Sequence, residues 1–210
     1  LKVAMPVTPY DAKGLFISAI RDDNPVIFIE HRWLHNVIGE VPEDIYAIPL
    51  GEARIIKGGK DISLVASSYM VLEAIRAADY LEKDGISAEV IDLRTIMPFD
   101  KESVIDSVKK TGHLLVVDGA CQTSGFAAEI IATVTERSFS SLKSAPQRLT
   151  FPDLPVPTTR ALANLYYPRA IDIINAVRLM FKLPDKTEEE LGIKHDQPLD
   201  VPDKSFTGPF

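Results

Sequence analysis

Three stretches of the chain hold side chains able to do chemistry. His31 and His35 stand just past Glu30 and an apolar run, Val26 to Ile29. An imidazole passes protons near neutral pH, and reactive groups of α/β sheets collect at the carboxyl ends of strands. The same two residues also suit the lining of a cleft or of a subunit contact, with Trp33 supplying apolar area. The second stretch, DGACQTSG from Asp118 to Gly125, follows the apolar run Leu114 to Val117. A glycine-containing loop that opens a helix can hold an anion, although this one lacks the GxGxxG spacing. Cys121 lies in it with no base beside it in sequence and reads as a buried or idle thiol. The third stretch is Asp153 with Pro155 and Pro157, a stiff loop that serves either as a subunit contact or as a rigid surface connection.

These residues need a sheet to present them, and the stretch from Asp61 to Pro98 supplies its centre. Ile62 to Ala66 is a short apolar run. Val71, Leu72, Ile75, Ala78 and Leu81 then fall on one helical stripe. Gly85 stops that helix, and Ala88 to Leu93 resumes β character. Strand, helix, strand at this spacing predicts a right-handed parallel βαβ unit. Asp100 caps a helix over Lys101 to Lys110, closed by Thr111 and Gly112. Leu114 to Val117 has the composition of a strand covered on both faces. A long helix is predicted over Phe126 to Phe139, a short strand over Arg148 to Thr150, and a closing helix over Ala170 to Phe181. Between the last two, prolines stiffen a loop from Pro152 through Leu165. Ala53 to Ile56 is predicted as an edge strand.

Upstream, Lys2 to Met5, Ala12 to Ile20 and Val26 to Ile29 make another strand, helix, strand. Asp11 is the predicted N-cap, with Leu15, Phe16, Ala19 and Ile20 facing inward and Gly14 weakening the helix slightly. Asp22, Asp23, Asn24 and Pro25 read as the turn that closes it. Arg32 to Gly51 has no regular period and reads as a linker. The expected fold is therefore α/β: a mostly parallel sheet with an antiparallel edge strand and helices on both faces, preceded by a strand-helix-strand remnant. The expected divisions are residues 1–47, 48–183 and a polar tail, 184–210. The tail cannot bury enough apolar surface for a core of its own, so it is either disordered or laid along a partner.

The 210 residues are 46% hydrophobic and 25% charged, the balance of an ordinary soluble globule. A net charge of −7 argues against nucleic acid or an anionic membrane as the main partner. The single cysteine excludes an internal disulfide. No run has the length of a transmembrane helix or the pattern of a signal peptide. Because it opens on Leu1 within a strand pattern, the chain is expected to be the later part of a longer polypeptide. The cytoplasm or a mitochondrial matrix is the expected location.

The runs MPVTPYDAKGL (Met5 to Leu15) and SAIRDDNPVIFIEH (Ser18 to His31) resemble the beta subunit of thiamine-diphosphate-dependent 2-oxo acid dehydrogenases. These are the decarboxylase components of pyruvate, branched-chain 2-oxo acid and acetoin dehydrogenase complexes. The resemblance continues in order through GEVP, IPLGEA, AEVIDLRTIMPFD, GFAAEI and PDLPVP, from about Val3 to Leu183. Ala127 and Phe151 stand where the family more usually has glycine.

The resemblance implies that 1–47 is the end of a pyrimidine-binding domain and 48–183 a transketolase C-terminal domain. It implies a heterotetramer of two alpha and two beta subunits that decarboxylates a 2-oxo acid on thiamine diphosphate with magnesium. The acyl group passes to a lipoyl domain, and the partners are the alpha subunit, a second beta subunit and the subunit-binding domain of the acyltransferase core. The glutamate that contacts the aminopyrimidine and the catalytic histidine are expected upstream of Leu1, and the diphosphate site on the alpha subunit. This segment alone is expected to be inactive and to serve assembly and the shape of the cleft. Ala19, Ile20, Asp22 and Asn24 match the family's potassium site, whose remaining ligand is expected upstream. Free carbonyls and partial negative charge at a helix end suit such a cation. Glu129 matches an acid of the family motif and is expected to brace the loop or an interface. The resemblance leaves two alternatives. One is another transketolase-like enzyme, such as a transketolase or deoxyxylulose phosphate synthase, which GEVP and IPLG fit poorly. The other is a non-catalytic assembly module with this fold.

Overall fold

The computed structural model describes residues 1–35 and 37–193. The chain opens with β1 (Lys2–Ala4), α1 (Pro9–Arg21) and β2 (Val26–Phe28), followed by a 3-10 turn at Arg32–Leu34. Then come β3 (Arg54–Lys57), β4 (Ile62–Ala66), α2 (Met70–Lys83), β5 (Ala88–Asp92), β6 (Thr95–Met97), α3 (Lys101–Thr111) and β7 (Leu114–Cys121). The remainder is α4 (Phe126–Ser138), β8 (Gln147–Phe151), α5 (Arg160–Tyr166), α6 (Ala170–Met180) and α7 (Glu188–Leu191).

The larger sheet has the order β3-β5-β4-β7-β8. All its pairs are parallel except β3 with β5, so the predicted antiparallel edge strand is present. Every residue of β4 and β5 is buried, because helices cover both faces. Ile62, Leu64 and Ala66 face α2 and α6, in a core with Val71, Ala74, Ile173 and Val177. Val65 faces α3 and α4, in a second core with Val104, Val108, Ile130 and Val134. Ser63 is the one hydroxyl in β4. Its Oγ lies 2.6 Å from Ser107 Oγ and 2.8 Å from Thr111 Oγ1 on α3, so the buried polar atom is satisfied.

The smaller sheet has the order β2-β1-β6. β1 pairs in parallel with β2 and antiparallel with β6, a strand absent from the sequence-based expectations, whose second run ends at Leu93. Arg94 makes the transfer between sheets: it takes a left-handed φ of 58°, and its carbonyl accepts from Met5 N at 2.8 Å.

Several local expectations change. Thr8, not Asp11, caps α1: its Oγ1 accepts from Asp11 N at 3.1 Å, and Pro9 follows as first helical residue. Asp11 is instead fully buried in the first turn, with Arg94 Nη2 donating to Oδ1 at 2.5 Å and Arg54 Nη1 3.6 Å from Oδ2. Leu15 is buried as expected, but Phe16 and Ile20 are 50% and 68% exposed. Gly14 has a packing reason. A Cβ there would meet Ile48 Cδ1 at 2.6 Å, and the linker crosses α1 at that point with Ile48 N donating to Gly14 O. The stretch read as a proline-stiffened loop contains α5, which buries Ala163 and Tyr166 while its larger aliphatic residues, Leu162 and Leu165, face outward.

The first part of the polar tail folds back on the chain itself. Arg178 Nε donates to Pro184 O at 2.7 Å, Asn175 exchanges two 2.9 Å bonds with the backbone of Lys186, and Lys186 Nζ reaches Asp84 at 2.6 Å. Leu191 packs against the α2 and α6 core. The expectation of a wholly disordered or partner-bound tail therefore fails over 184–193; residues 194–210 lie outside the described residues. Ending the chain after Leu183 should lower the unfolding free energy by about 1–3 kcal/mol, the scale of a few lost charge-assisted bonds. Urea titration of the two forms reads the difference.

Candidate functional site

The carboxyl ends of the two sheets meet around His31. Past β2, His31 heads the 3-10 turn, and its Nδ1 accepts from Trp33 N at 3.2 Å. In the neutral ring the proton then sits on Nε2. The imidazole stacks on Tyr69 with centroids 5.1 Å apart and meets Trp33 edge-on at 5.6 Å. Burial, the Arg169 charge and His35, in that order, lower its pKa, which keeps the ring neutral at pH 7.

Tyr69 belongs to the turn that leads from β4 into α2, and Arg169 immediately precedes α6. Arg169 Nη1 donates to Tyr69 Oη at 2.9 Å, and Tyr69 Oη donates to Glu73 Oε1 at 2.9 Å. Glu73, only 2% exposed, also accepts from Arg76 and from Ala170 N, each at 2.9 Å. The Arg169 guanidinium lies 5.2 Å from the Trp33 ring centroid and 5.9 Å from that of Tyr69. Burial, then the Glu73 charge, raises the Tyr69 phenol above its ordinary pKa. Tyr69, Glu73 and Arg169 were missed in sequence. The available signal was Glu73, an acid on the inward face of α2 between Met70 and Ala74.

Beside His31 a crevice of about 220 Å³ opens at the carboxyl ends of β1 and β2. Pro6, Leu34 and Val37 form apolar walls, and Glu30, His31 and His35 the polar one. His35 Nε2 lies 3.2 Å from Glu30 Oε2. The two histidines thus line a cleft together. That volume is below the ~300–1,000 Å³ typical of a whole ligand site. Among the described residues no group of three or more His, Cys, Asp or Glu is placed for a metal ion. The residues present therefore do not fit thiamine diphosphate with its metal, and no step through that cofactor is assigned to them.

The Asp118 loop is braced from within. Asp118 Oδ2 accepts from Ala127 N at 3.0 Å, so the chain's own carboxylate sits where an anion was considered, at the start of α4. Burial raises the pKa of Asp118, and backbone bonds from Ala127, Ala120 and Phe126 oppose the rise. A Cβ at Gly125 would fall 2.2 Å from Cys121 O, so only glycine fits this close crossing. Asp153 accepts from Thr123 N at 2.9 Å and from its hydroxyl at 2.6 Å, which ties the proline loop to this one. Glu129 is exposed, so the bracing falls to Asp118 and Asp153. Cys121 is exposed, not buried. Phe151, in the place of a glycine, packs on Tyr166 and Tyr167 at 5.2 and 5.4 Å.

Ala19, Ile20, Asp22 and Asn24 come together at the end of α1. Asp22 N donates to Ala19 O at 3.4 Å, and Asp22 Oδ1 accepts from Asn24 N and Nδ2 at 2.9 and 3.1 Å. Asp22 Oδ2 holds the Lys2 ammonium, a partner that the sequence reading missed. Lys2, followed by Asn24, pulls the pKa of Asp22 down to about 2. The oxygen donors suit a monovalent cation, and Lys2 competes for their one carboxylate.

Residues 51–173 match the family model described as transketolase, C-terminal domain. The chain is 48% identical over 182 residues to the acetoin:2,6-dichlorophenolindophenol oxidoreductase subunit beta of Cupriavidus necator, covering 87% of this chain and 54% of that protein. It is 45% identical over 179 residues to the pyruvate dehydrogenase E1 component subunit beta of Bacillus subtilis, covering 85% and 55%. In structure it resembles a split gene transketolase, an inactive beta4 tetramer, with a TM-score of 0.72 over 88% of this chain and 59% of that one. At 24% identity this last likeness speaks for the fold alone. The chain spans about half the length of the curated relatives it matches. Among the described residues no helix is long and apolar enough to cross a membrane. The chain belongs to the transketolase C-terminal domain family, and within it is similar to the beta subunits of pyruvate and acetoin dehydrogenases.

Proposed function

We propose that this chain is part of the beta subunit of a 2-oxo acid dehydrogenase decarboxylase component. The complete enzyme decarboxylates a 2-oxo acid on thiamine diphosphate with magnesium and acylates a lipoyl domain. Residues 1–47 act as the end of the pyrimidine-binding domain and 48–183 as the association domain, with 184–210 as an appended tail. The observation that carries this reading is the extent of the match. The 182 matched residues exceed the family segment 51–173 by more than all the residues after it, so the match reaches into the chain before residue 51.

The segment's own work is assembly and the walling of the cleft. Leu154, Val156, Leu162 and Leu165 are 65%, 56%, 56% and 84% exposed, an apolar surface suited to another subunit. The partners are the alpha subunit, a second beta subunit and the subunit-binding domain of the acyltransferase core, in the cytoplasm or a mitochondrial matrix. By itself the segment does not turn over substrate.

The test is a chimera. Residues 1–183 replace the matching part of the Bacillus subtilis beta subunit, produced together with its alpha subunit. The expected result is a heterotetramer that decarboxylates pyruvate with thiamine diphosphate within about tenfold of the parent, a rise of at most about 1.4 kcal/mol in the barrier. A tetramer without turnover, or no association, overturns the reading.

The potassium assignment to Ala19, Ile20, Asp22 and Asn24 has its own test in Lys2→Met, which leaves Asp22 free for the ion. Potassium at a hundred times its dissociation constant stabilises by about 2.7 kcal/mol. The variant should therefore melt at least about 5 °C higher in potassium chloride than in choline chloride of equal strength. Equal midpoints rule out the site.

A further inference from the structure

Two buried acids share two arginines where the sheets join. Asp92 ends β5 and is fully buried. Its Oδ1 accepts from Arg94 N at 2.9 Å, while Oδ2 is buried with no hydrogen-bond partner. Asp11, from α1, is equally buried and takes the Arg94 guanidinium at 2.5 Å through Oδ1. Thr8 Oγ1 donates to Asp11 Oδ2 at 2.6 Å. Arg94 Nε is buried and has no partner. Arg54 lies opposite Asp92 in the β3–β5 register, and on the other side β4 presents Ala66, which is uncharged. The charged groups facing Asp92 are therefore Asp11, Arg94 and Arg54.

A buried carboxylate with an unmet oxygen is costly unless it is protonated or gains a donor. Burial, reinforced by the Asp11 charge, raises the pKa of Asp92 to about 7, against the opposing backbone bond from Arg94 and the two guanidiniums. With Asp92 neutral, Arg94 is committed to Asp11. An ionised Asp92 can turn to Arg94, whose Nε is a buried donor without a partner. Arg94 also sets the path into β6 and, through its carbonyl, holds Met5 of the smaller sheet.

We propose that Asp92, Arg94 and Asp11 form a proton-operated joint: protonated Asp92 leaves Arg94 clamping α1 and the smaller sheet to the larger one, and loss of that proton draws Arg94 toward Asp92 and loosens the clamp. This inference is independent of the reading under Proposed function. The folded pKa lies above the ordinary 3.8, so the folded chain holds the extra proton. The stabilisation is complete below the unfolded value and is lost as pH rises through about 7. From about pH 6 to about pH 8 the folding equilibrium should fall about tenfold.

Trp33, the chain's only tryptophan, reports on the joint. It sits on the smaller-sheet side and meets Tyr69 at 5.1 Å and Tyr167 at 6.5 Å across the junction. Its emission in the full chain should shift to the red with a midpoint near 7. Asp92→Asn, which mimics the protonated acid, should abolish the transition, and His31→Phe should keep it, which excludes the neighbouring imidazole as its source. A transition that survives in Asp92→Asn, vanishes in His31→Phe or is absent from the wild type overturns the proposal. If Asp92→Asn does not fold, urea titration of the wild type at the two pH values decides: stability that is flat or rising with pH contradicts it.

Discussion

The fold depends on a buried ion pair between segments far apart in sequence. Asp11, in the first turn of α1, is fully buried, and Arg94, after β5, keeps only 11% of its side chain exposed. Taking two charges out of water is expensive, and their attraction offsets that cost only when the geometry is good and the remaining atoms are bonded. The condition is met on the Asp11 side by Thr8, the same hydroxyl that caps the helix. It is met less fully on the Arg94 side. The cluster therefore specifies how the smaller sheet sits: a shift of one residue in the β1–β6 pairing would leave a buried charge alone.

That constraint decides where the cleft lies. With the smaller sheet seated through β6, the turn after β2 is brought over the start of α2. His31 can then stack on Tyr69, and Trp33 can cover Arg169. Glu73 ties the starts of α2 and α6 beneath them. The wall of the cleft is thus made from two sheets whose relative position is held by charges outside it.

The larger sheet was legible because its signals are local. Ile62 to Ala66 and Leu114 to Val117 are apolar runs that only a doubly covered strand explains, and Gly112 takes the left-handed φ of 81° that a helix end prefers. The joint was not legible, because its signals are not local. β6 is three residues long, and its partner lies some ninety residues earlier. Asp11 has the chemistry of a cap, but Pro9 moved the helix start back and left the acid facing the interior. At the end of α1 the turn residues Asp22 and Asn24 could be read in place, whereas Lys2 reaches them from the neighbouring strand. Arg169 and Tyr69 lie 100 residues apart, and no spacing rule connects them. The resemblance to a family supplied the order of the parts; the contacts between them required the structure.

The central claim is that Asp11 and Arg94 act as one unit in joining the sheets. A double-mutant cycle with Asp11→Asn and Arg94→Met, followed by urea unfolding, measures this directly. The account predicts that the two losses fail to add by about 2–3 kcal/mol, the upper range for residues in one buried network. Losses that add to within about 0.5 kcal/mol would mean that the two residues contribute separately and that something else seats the smaller sheet.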